Sequence, residues 1–152
     1  MNKIRFASVL VMCILLFFSS CKRQEPFVDP AYIFLKWSGA VKALNYNDYS
    51  ECEAFPKDKN VFRELYKDFY YGNLIIRNMG KFNESDIKTD FEGYKFNHRM
   101  LYFECERISR ETGKTVENMK GEVEFIKYIE GPKIKRGWLM HNRTLIRTGL
   151  NS

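Results

Sequence analysis

The feature that most constrains the fold is a change in hydrophobic spacing at Gly72. Before it, apolar residues recur every three or four positions, as on one face of a helix; after it, apolar and polar residues alternate in strand-like runs. The first stripe follows Asp29, which can cap a helix, and Pro30, which suits a first helical position. The spacing predicts a helix over residues 30–45, whose inward face carries Ile33, Trp37, Val41 and Leu44.

Two shorter helices are predicted between this helix and Gly72. Asn47 is expected to cap a helix over residues 48–55, because an asparagine side chain can accept a hydrogen bond from a free amide of the first turn. Asn60 is expected to cap a third helix over residues 60–71, and Gly72 then suits its C-terminal cap. The chain is therefore expected to begin with three helices.

The rest of the chain has the alternation and the turn residues of antiparallel strands. A turn-rich segment, residues 83–93, separates the first strand from the others. The strands are predicted at about 74–79, 94–108, 115–130 and 138–147. Helices that precede an unbroken run of strands predict an α+β fold, with the N-terminal helices packed on a curved antiparallel sheet of about four strands. Residues 29–152 are expected to form this single domain.

The N-terminus has the order of a secretory signal. Lys3 and Arg5 give it a positive start, and residues 7–18 then contain no charge. That run is shorter than the ~20 apolar residues of a membrane-spanning helix, but it has the length of a signal-peptide core. The sequence FSSC follows and ends at Cys21. We therefore expect residues 1–20 to be a signal peptide.

The stretch FSSC resembles the lipobox of bacterial lipoproteins, with Phe18 where leucine is usual. The resemblance implies that Cys21 is the lipid attachment site, bearing a diacylglyceryl group and an N-linked acyl chain. Several chains together form a lasting anchor, whereas one alone binds only marginally. Residues 21–28 would be a tether, and Lys22, in place of an inner-membrane retention aspartate, favours the outer membrane. The alternative is an uncleaved N-terminal anchor.

The charge distribution argues against nucleic acid as a partner. The formal net charge is +6, but the cations are spread along the chain, whereas a nucleic-acid-binding domain has a denser basic stripe. The expected partners are the membrane, through the lipid anchor, and an envelope protein or a glycan. The aromatic run Phe69, Tyr70 and Tyr71 is the candidate for stacking on sugar rings.

Two cysteines, Cys52 and Cys105, lie in the predicted domain. An even number of cysteines in an exported domain permits a disulfide. Both are flanked by glutamates, which disfavour a reactive thiolate. The sequence leaves open whether the two are bridged or simply buried. It contains no CxxC or HxxxH spacing, so no metal site is predicted.

Two segments resemble the nuclear transport factor 2-like superfamily, specifically its small bacterial lipoproteins. VKALNYNDYSECEAF is similar to the family's turn between the first two helices, and IKRGWLMHN is similar to its last strand. The resemblance spans about residues 29–148 and implies a cone with a cavity between helix and sheet. Some members are isomerases, hydratases or dehydratases, and many merely bind or dimerise. The alternatives are a cystatin-like domain or another α+β layer.

The sequence contains no GxSxG nucleophile motif and no glycine-rich phosphate loop. The candidates for acid–base chemistry are His98 and His141, on predicted strands, and Asp86, Asp90 and Glu92 in the turn-rich segment. Such chemistry needs a tuned group in a pocket, and isolated strand histidines are more often surface or core-edge residues. We therefore expect a non-enzymatic binding domain without a cofactor. The alternatives are a small lyase or isomerase using the cone cavity, and a periplasmic inhibitor or immunity protein.

Overall fold

The structure is a computed structural model and describes residues 29–150, of which 149 and 150 are described by backbone alone. Three helices precede an antiparallel sheet, which confirms the predicted α+β class. The helices are α1 (Pro30–Ala43), α2 (Tyr46–Cys52) and α3 (Lys59–Tyr66). The strands are β1 (Phe69–Met79), β2 (Ile87–Thr89), β3 (Lys95–Ser109), β4 (Thr115–Tyr128) and β5 (Trp138–Leu150), with a 3₁₀ turn at Ile134–Arg136.

Helix α1 begins as the sequence predicts and ends two residues earlier. The Asp29 side chain accepts a hydrogen bond from the Ala31 amide at 2.9 Å, and Pro30 occupies the first turn. Leu44 ends the helix with a left-handed backbone (φ 52°), and it is exposed. The buried face is thus rotated from the predicted stripe and consists of Pro30, Phe34, Trp37, Ser38, Ala40 and Val41.

The predicted caps of the two shorter helices are wrong by two residues. Asn45, not Asn47, caps α2, and its side chain accepts from the Asn47 and Asp48 amides. Asp58, not Asn60, caps α3. In both cases a residue that can cap stands two positions earlier, where it reaches two free amides of the first turn.

The third helix is shorter than predicted, because β1 begins at Phe69. Gly72 therefore lies inside a strand and does not cap a helix. A Cβ atom at this position would lie 2.6 Å from the Cδ1 atom of Ile108, so glycine lets β3 pack closely against β1. The aromatic run from Phe69 to Tyr71 consequently belongs to the sheet.

The sheet has the order β1-β3-β4-β5, and the short strand β2 pairs with the first part of β3. This fifth strand forms within the segment predicted to be turn-rich. The helices pack on the face that carries Leu101, Phe103 and Cys105; Phe34, for example, lies 4.6 Å from Phe103 between ring centroids. We call this the helix-facing side and the opposite one the outer side.

The outer side carries a second hydrophobic cluster near the start of β3. Ala54 reaches it because the chain after α2 runs beside β5, where the Ala54 amide donates to the Met140 carbonyl at 2.8 Å. Strand β3 therefore buries residues on both of its faces, which explains its mixed sequence pattern. The cluster comprises Ala54, Phe96, Ile126, Tyr128 and Leu139, with Phe55 and Tyr94 packed against it.

One arginine connects the C-terminal ends of α1 and α3 to the turn between β3 and β4. Arg110, in the turn between β3 and β4, donates to the carbonyls of Val41 and Lys42 at 2.6 and 2.8 Å. Its Nε atom donates to the Tyr66 carbonyl at 2.8 Å. The carbonyls at a helix end have no partner within the helix, so this side chain satisfies the last turns of α1 and α3 together.

Candidate functional site

Both histidines lie on the outer side and bind the same glutamate. His98 comes from β3, and its Nδ1 atom lies 3.2 Å from Glu124 Oε1. His141 is the additional residue of a β-bulge in β5, and its Nδ1 atom lies 2.9 Å from Glu124 Oε2. Asn142 donates to the same Oε2 atom at 3.1 Å, and Lys88 of β2 lies 3.3 Å from Oε1. Glu124 is therefore the centre of a polar cluster joining β2, β3, β4 and β5.

The surroundings of Glu124 favour its charged form. Partial burial acts to raise the pKa of this carboxyl group, but the hydrogen bonds from His141, Asn142 and Lys88 together outweigh it, and the pKa lies below its usual value. A carboxylate that accepts several hydrogen bonds is a poor proton carrier at neutral pH. The cluster is thus suited to fixing β2 on the sheet.

The three candidate acids of the turn-rich segment each have an intramolecular partner. Asp86 Oδ2 lies 2.8 Å from His98 Nε2, and Glu92 forms an ion pair with Lys133 at 2.9 Å. Asp90 accepts hydrogen bonds from the Glu92 and Tyr94 amides and from the Tyr128 hydroxyl, at 2.7–2.9 Å. These contacts hold the connection between β1 and β3 in place.

An ion pair on the helix-facing side was not predicted from the sequence. Arg143 of β5 donates to Glu53 Oε1 at 2.5 Å, and its guanidinium lies 4.5 Å from the centre of the Trp37 ring. The Glu53 side chain is 6% exposed. Burial raises the pKa of Glu53, and Arg143 offsets only part of that effect. No local signal in the sequence predicts this pair, because Asn142 and Thr144 on either side of Arg143 are polar and the bulge at His141 interrupts the alternation along β5.

The two cysteines are free thiols and are both buried. Cys52 closes α2, and Cys105 faces the helices from the middle of β3. Burial raises the pKa of Cys52 to about 12 and that of Cys105 to about 11. Both therefore carry their proton at neutral pH and behave as apolar core residues.

A groove crosses the outer side next to the polar cluster around Glu124. It has a volume of about 340 Å³ and is floored by Gly121, where a side chain would collide with the Thr144 carbonyl. Tyr102 and Ile146 line it and are 40% and 54% exposed. We call this the outer groove; its charged lining residues are Arg77, Glu104, Lys120 and Glu122.

The charges of the outer groove alternate in sign across the strands. Arg77 and Glu104 form an ion pair at 2.5 Å. Glu104 pairs in register with Lys120, which in turn pairs with Ile146. An exposed apolar surface bordered by both charges is typical of a protein-binding surface.

The aromatic run proposed for glycan stacking is already engaged within the domain. Tyr71 stacks on Trp37 with ring centroids 5.8 Å apart. Tyr70 has Lys42 and Arg110 over its ring, each at 5.4 Å, and Phe69 has Arg107 at 3.9 Å. Each of these rings therefore already has a stacking or cationic partner within the domain.

Among residues 29–150, no group of histidine, cysteine, aspartate and glutamate side chains could hold a metal ion. Within the same part of the chain, no helix has the length and apolar character needed to cross a membrane. The predicted signal peptide, lipid attachment at Cys21 and tether 21–28 lie outside the described residues. Comparisons with protein-family models, with curated proteins and with solved structures found no match to this chain.

Proposed function

We propose that this chain is a lipid-anchored protein of the bacterial cell envelope, whose domain binds another envelope protein through the outer groove. The anchor part rests on the signal-like N-terminus, the FSSC stretch and Cys21. The outer-membrane location and the likeness to the nuclear transport factor 2-like superfamily stay predictions on the same sequence grounds.

The proposal that the domain binds another protein rests on the outer groove. A sheet face without a covering layer normally exposes polar side chains, so two exposed apolar side chains in one groove, Tyr102 and Ile146, indicate a binding surface. The groove offers apolar contact at its centre and ionic contacts of both signs at its rim. A protein partner with an apolar residue between an acidic and a basic side chain would satisfy both.

The histidine geometry supports binding over the lyase or isomerase alternative. That alternative requires His98, or an acid of the turn-rich segment, inside a cavity between helix and sheet. Both histidines instead lie on the outer side and contact Glu124, and Asp86 contacts His98. The inhibitor or immunity alternative is one form of the proposed function, in which the partner is a toxin or an enzyme.

A photo-crosslinking experiment tests the groove. A benzophenone amino acid replaces Tyr102 in the groove or, as a matched control, exposed Arg63 on α3. We expect a discrete protein adduct in envelope fractions from position 102 alone, and its loss when Ile146→Asp is added. Equal adducts from both positions, or none from position 102, would contradict the groove as the binding surface.

The anchor is tested separately by intact-mass analysis of the membrane fraction. We expect the wild-type mass to show loss of residues 1–20 and addition of acyl chains. The Cys21→Ala variant should be released or remain unprocessed. A soluble wild type that is cleaved elsewhere and carries no lipid would contradict the proposed anchor.

A further inference from the structure

Two connections form one continuous surface at the end of the sheet where β3 begins. They are residues 80–94, between β1 and β3, and residues 129–137, between β4 and β5. Lys133 of the second bonds to Glu92 of the first at 2.9 Å. We call these two connections together the tether-end surface.

The N-terminus of α1, which residues 21–28 precede in the sequence, lies toward this surface. The last turn of α1 is held by Arg110, just after the end of β3, while Phe34 contacts Phe103 in the middle of that strand. Helix α1 therefore points its N-terminus toward the end where β3 begins. Residues 21–28 span at most about 29 Å when fully extended, so a lipid on Cys21 keeps this end of the domain close to the membrane.

The tether-end surface is also where exposed apolar side chains concentrate. The connections at the opposite end, residues 44–45, 67–68 and 110–114, expose one large hydrophobic residue, Leu44, among those described. Phe91 of the tether-end surface is 80% exposed, the highest value of any large hydrophobic residue described. The exposed large hydrophobic residues of this surface are Phe82, Ile87, Phe91, Ile129 and Ile134.

Lysines without ion pairs border these apolar side chains, whereas most of the local acids are engaged. Asp86 contacts His98, Glu92 contacts Lys133, and Glu130 accepts from the Lys95 amide; Glu84 is the acid there without a side-chain partner among the described residues. At this end of the sheet, the exposed lysines that form no ion pair within the described residues are Lys81 and Lys135 of the two connections and Lys127 near the end of β4.

We propose that the tether-end surface rests on the lipid bilayer, with Phe91 and Ile134 entering the headgroup region and the free lysines contacting anionic headgroups. Apolar side chains that enter the interface and cations near anionic lipid are the two elements of peripheral membrane binding. This inference rests on the proposed lipid anchor, which holds the surface within reach. In this orientation the outer groove, farther along the strands, stays accessible to a partner.

The test measures which end of the lipidated protein contacts the membrane. Cys52 and Cys105 are buried, so an engineered surface cysteine is the site that a thiol-reactive dye labels in the mature protein. An environment-sensitive dye is placed at Phe91→Cys, at Ile134→Cys or, as a control at the opposite end, at Glu111→Cys. The full lipidated chain is reconstituted into vesicles of phosphatidylethanolamine and phosphatidylglycerol.

We expect the emission of the dyes at positions 91 and 134 to shift to shorter wavelength and to lose quenching by iodide. The dye at position 111 should behave as in water. Lys127→Gln and Lys135→Gln are then added together. The ratio of dye shielded from iodide to dye exposed to iodide should fall by roughly 25-fold, because each lysine near an anionic surface favours the bound orientation by roughly 5-fold. Lys114→Gln, in the turn at the opposite end, should leave the ratio unchanged.

Failures of the two proposals are distinguishable. Acyl chains on Cys21 combined with equal iodide quenching at positions 91 and 111 would overturn the membrane-facing surface and leave the anchor intact. A chain without acyl groups contradicts the anchor, whatever the dyes report. Shielding of position 91 in native envelopes but not in pure lipid vesicles would assign this end to a protein partner and overturn the lipid inference.

Discussion

Two glutamates on opposite sides of the sheet are bound by consecutive residues of β5. On the outer side, Glu124 accepts hydrogen bonds from His141 and Asn142; on the helix-facing side, Glu53 binds Arg143. Their side chains are 13% and 6% exposed. The pKa of Glu124 nevertheless lies below its usual value and that of Glu53 above it.

The difference shows that the number of donors, and not burial alone, decides how a protein tolerates a buried carboxylate. Glu124 collects donors from three strands, so its charge is neutralised by several partners. Among the described residues, Glu53 has one ion-pair partner, the Arg143 guanidinium, which is itself covered by Trp37. Removal of a single partner should therefore be far more costly on the helix-facing side than on the outer side.

The largest effect is expected from Arg143→Met. It leaves the Glu53 carboxylate buried without its partner, which costs about 3–5 kcal/mol in comparable buried pairs. The free energy of unfolding, measured by urea denaturation at neutral pH, should fall by that amount. Arg77→Met, which breaks the exposed pair with Glu104, is the control and should cost below about 1 kcal/mol. A similar loss of unfolding free energy in both variants would contradict the expected difference between the buried and the exposed ion pair.

Combining Arg143→Met with Glu53→Gln should recover part of this loss. The double variant contains no unpaired buried charge, so we expect it to be more stable than Arg143→Met alone by about 1–3 kcal/mol. A double-mutant cycle by urea denaturation measures the coupling. Strictly additive changes in the free energy of unfolding would mean that the Glu53 carboxylate without Arg143 does not destabilise the fold.

A smaller loss is expected on the outer side from Glu124→Gln. The amide retains one oxygen that can accept, but it loses the charge shared by His141, Asn142 and Lys88, so the expected loss is about 1–2 kcal/mol. Hydrogen exchange should show faster opening of β2, because Lys88 loses its contact with the sheet. Unchanged protection of β2 would contradict the role assigned to the cluster.

The two glutamates should also give opposite pH dependence at acid pH. The lowered pKa of Glu124 contributes stability that is present above its unfolded value, 4.5, and is lost as the pH falls through the folded value. The raised pKa of Glu53 contributes stability at low pH, which is lost as the pH rises above 4.5. Glu124→Gln should therefore flatten the acid-side loss of stability, and Glu53→Gln should steepen it, when unfolding is followed from pH 3 to 7. Equal slopes in the two variants would contradict the opposite shifts.

The smallest effect concerns thiol reactivity in the intact domain. Because burial raises the pKa values of Cys52 and Cys105 to about 12 and about 11, neither should react with a thiol reagent at pH 8 within the native state. Labelling is followed by mass spectrometry without reductant, which also detects a disulfide. In the Arg143→Met variant, Glu53, which follows Cys52 in the sequence, loses its ion-pair partner. We therefore expect Cys52 to react with the thiol reagent before Cys105. Rapid labelling of the wild type would show that the helix-facing side is open.

The fold class was predictable from the sequence because the hydrophobic spacing changes once and does not change back. The positions of the caps were not, because Asn45 and Asn47, or Asp58 and Asn60, are chemically similar candidates two residues apart. Strand β2 was missed for a physical reason: its three residues are all exposed, so they show no alternation of buried and exposed positions.

The sequence predicted individual residues of the candidate site but not their arrangement. His98, His141 and Asp86 were recognised as separate polar residues, but the glutamate that joins the two histidines was not, because Glu124 comes from a third strand. A bulge at His141 shifts the register between β4 and β5 there, and no local pattern in the sequence specifies this shift. The outer groove likewise depends on the register of Tyr102 with Glu122 and Thr144.

The Arg110 contacts with α1 and α3 have a consequence for the order in which the chain can fold. Its three carbonyl partners lie 44, 68 and 69 residues away in sequence. Neither helix can complete its last turn in this way until the hairpin of β3 and β4 has formed and docked. We expect nascent helices to fray at their C-terminal ends early in folding, and their final protection from hydrogen exchange to appear together with that of the hairpin. The helical layer, although made first by the ribosome, would thus become fully ordered only when residue 110 arrives.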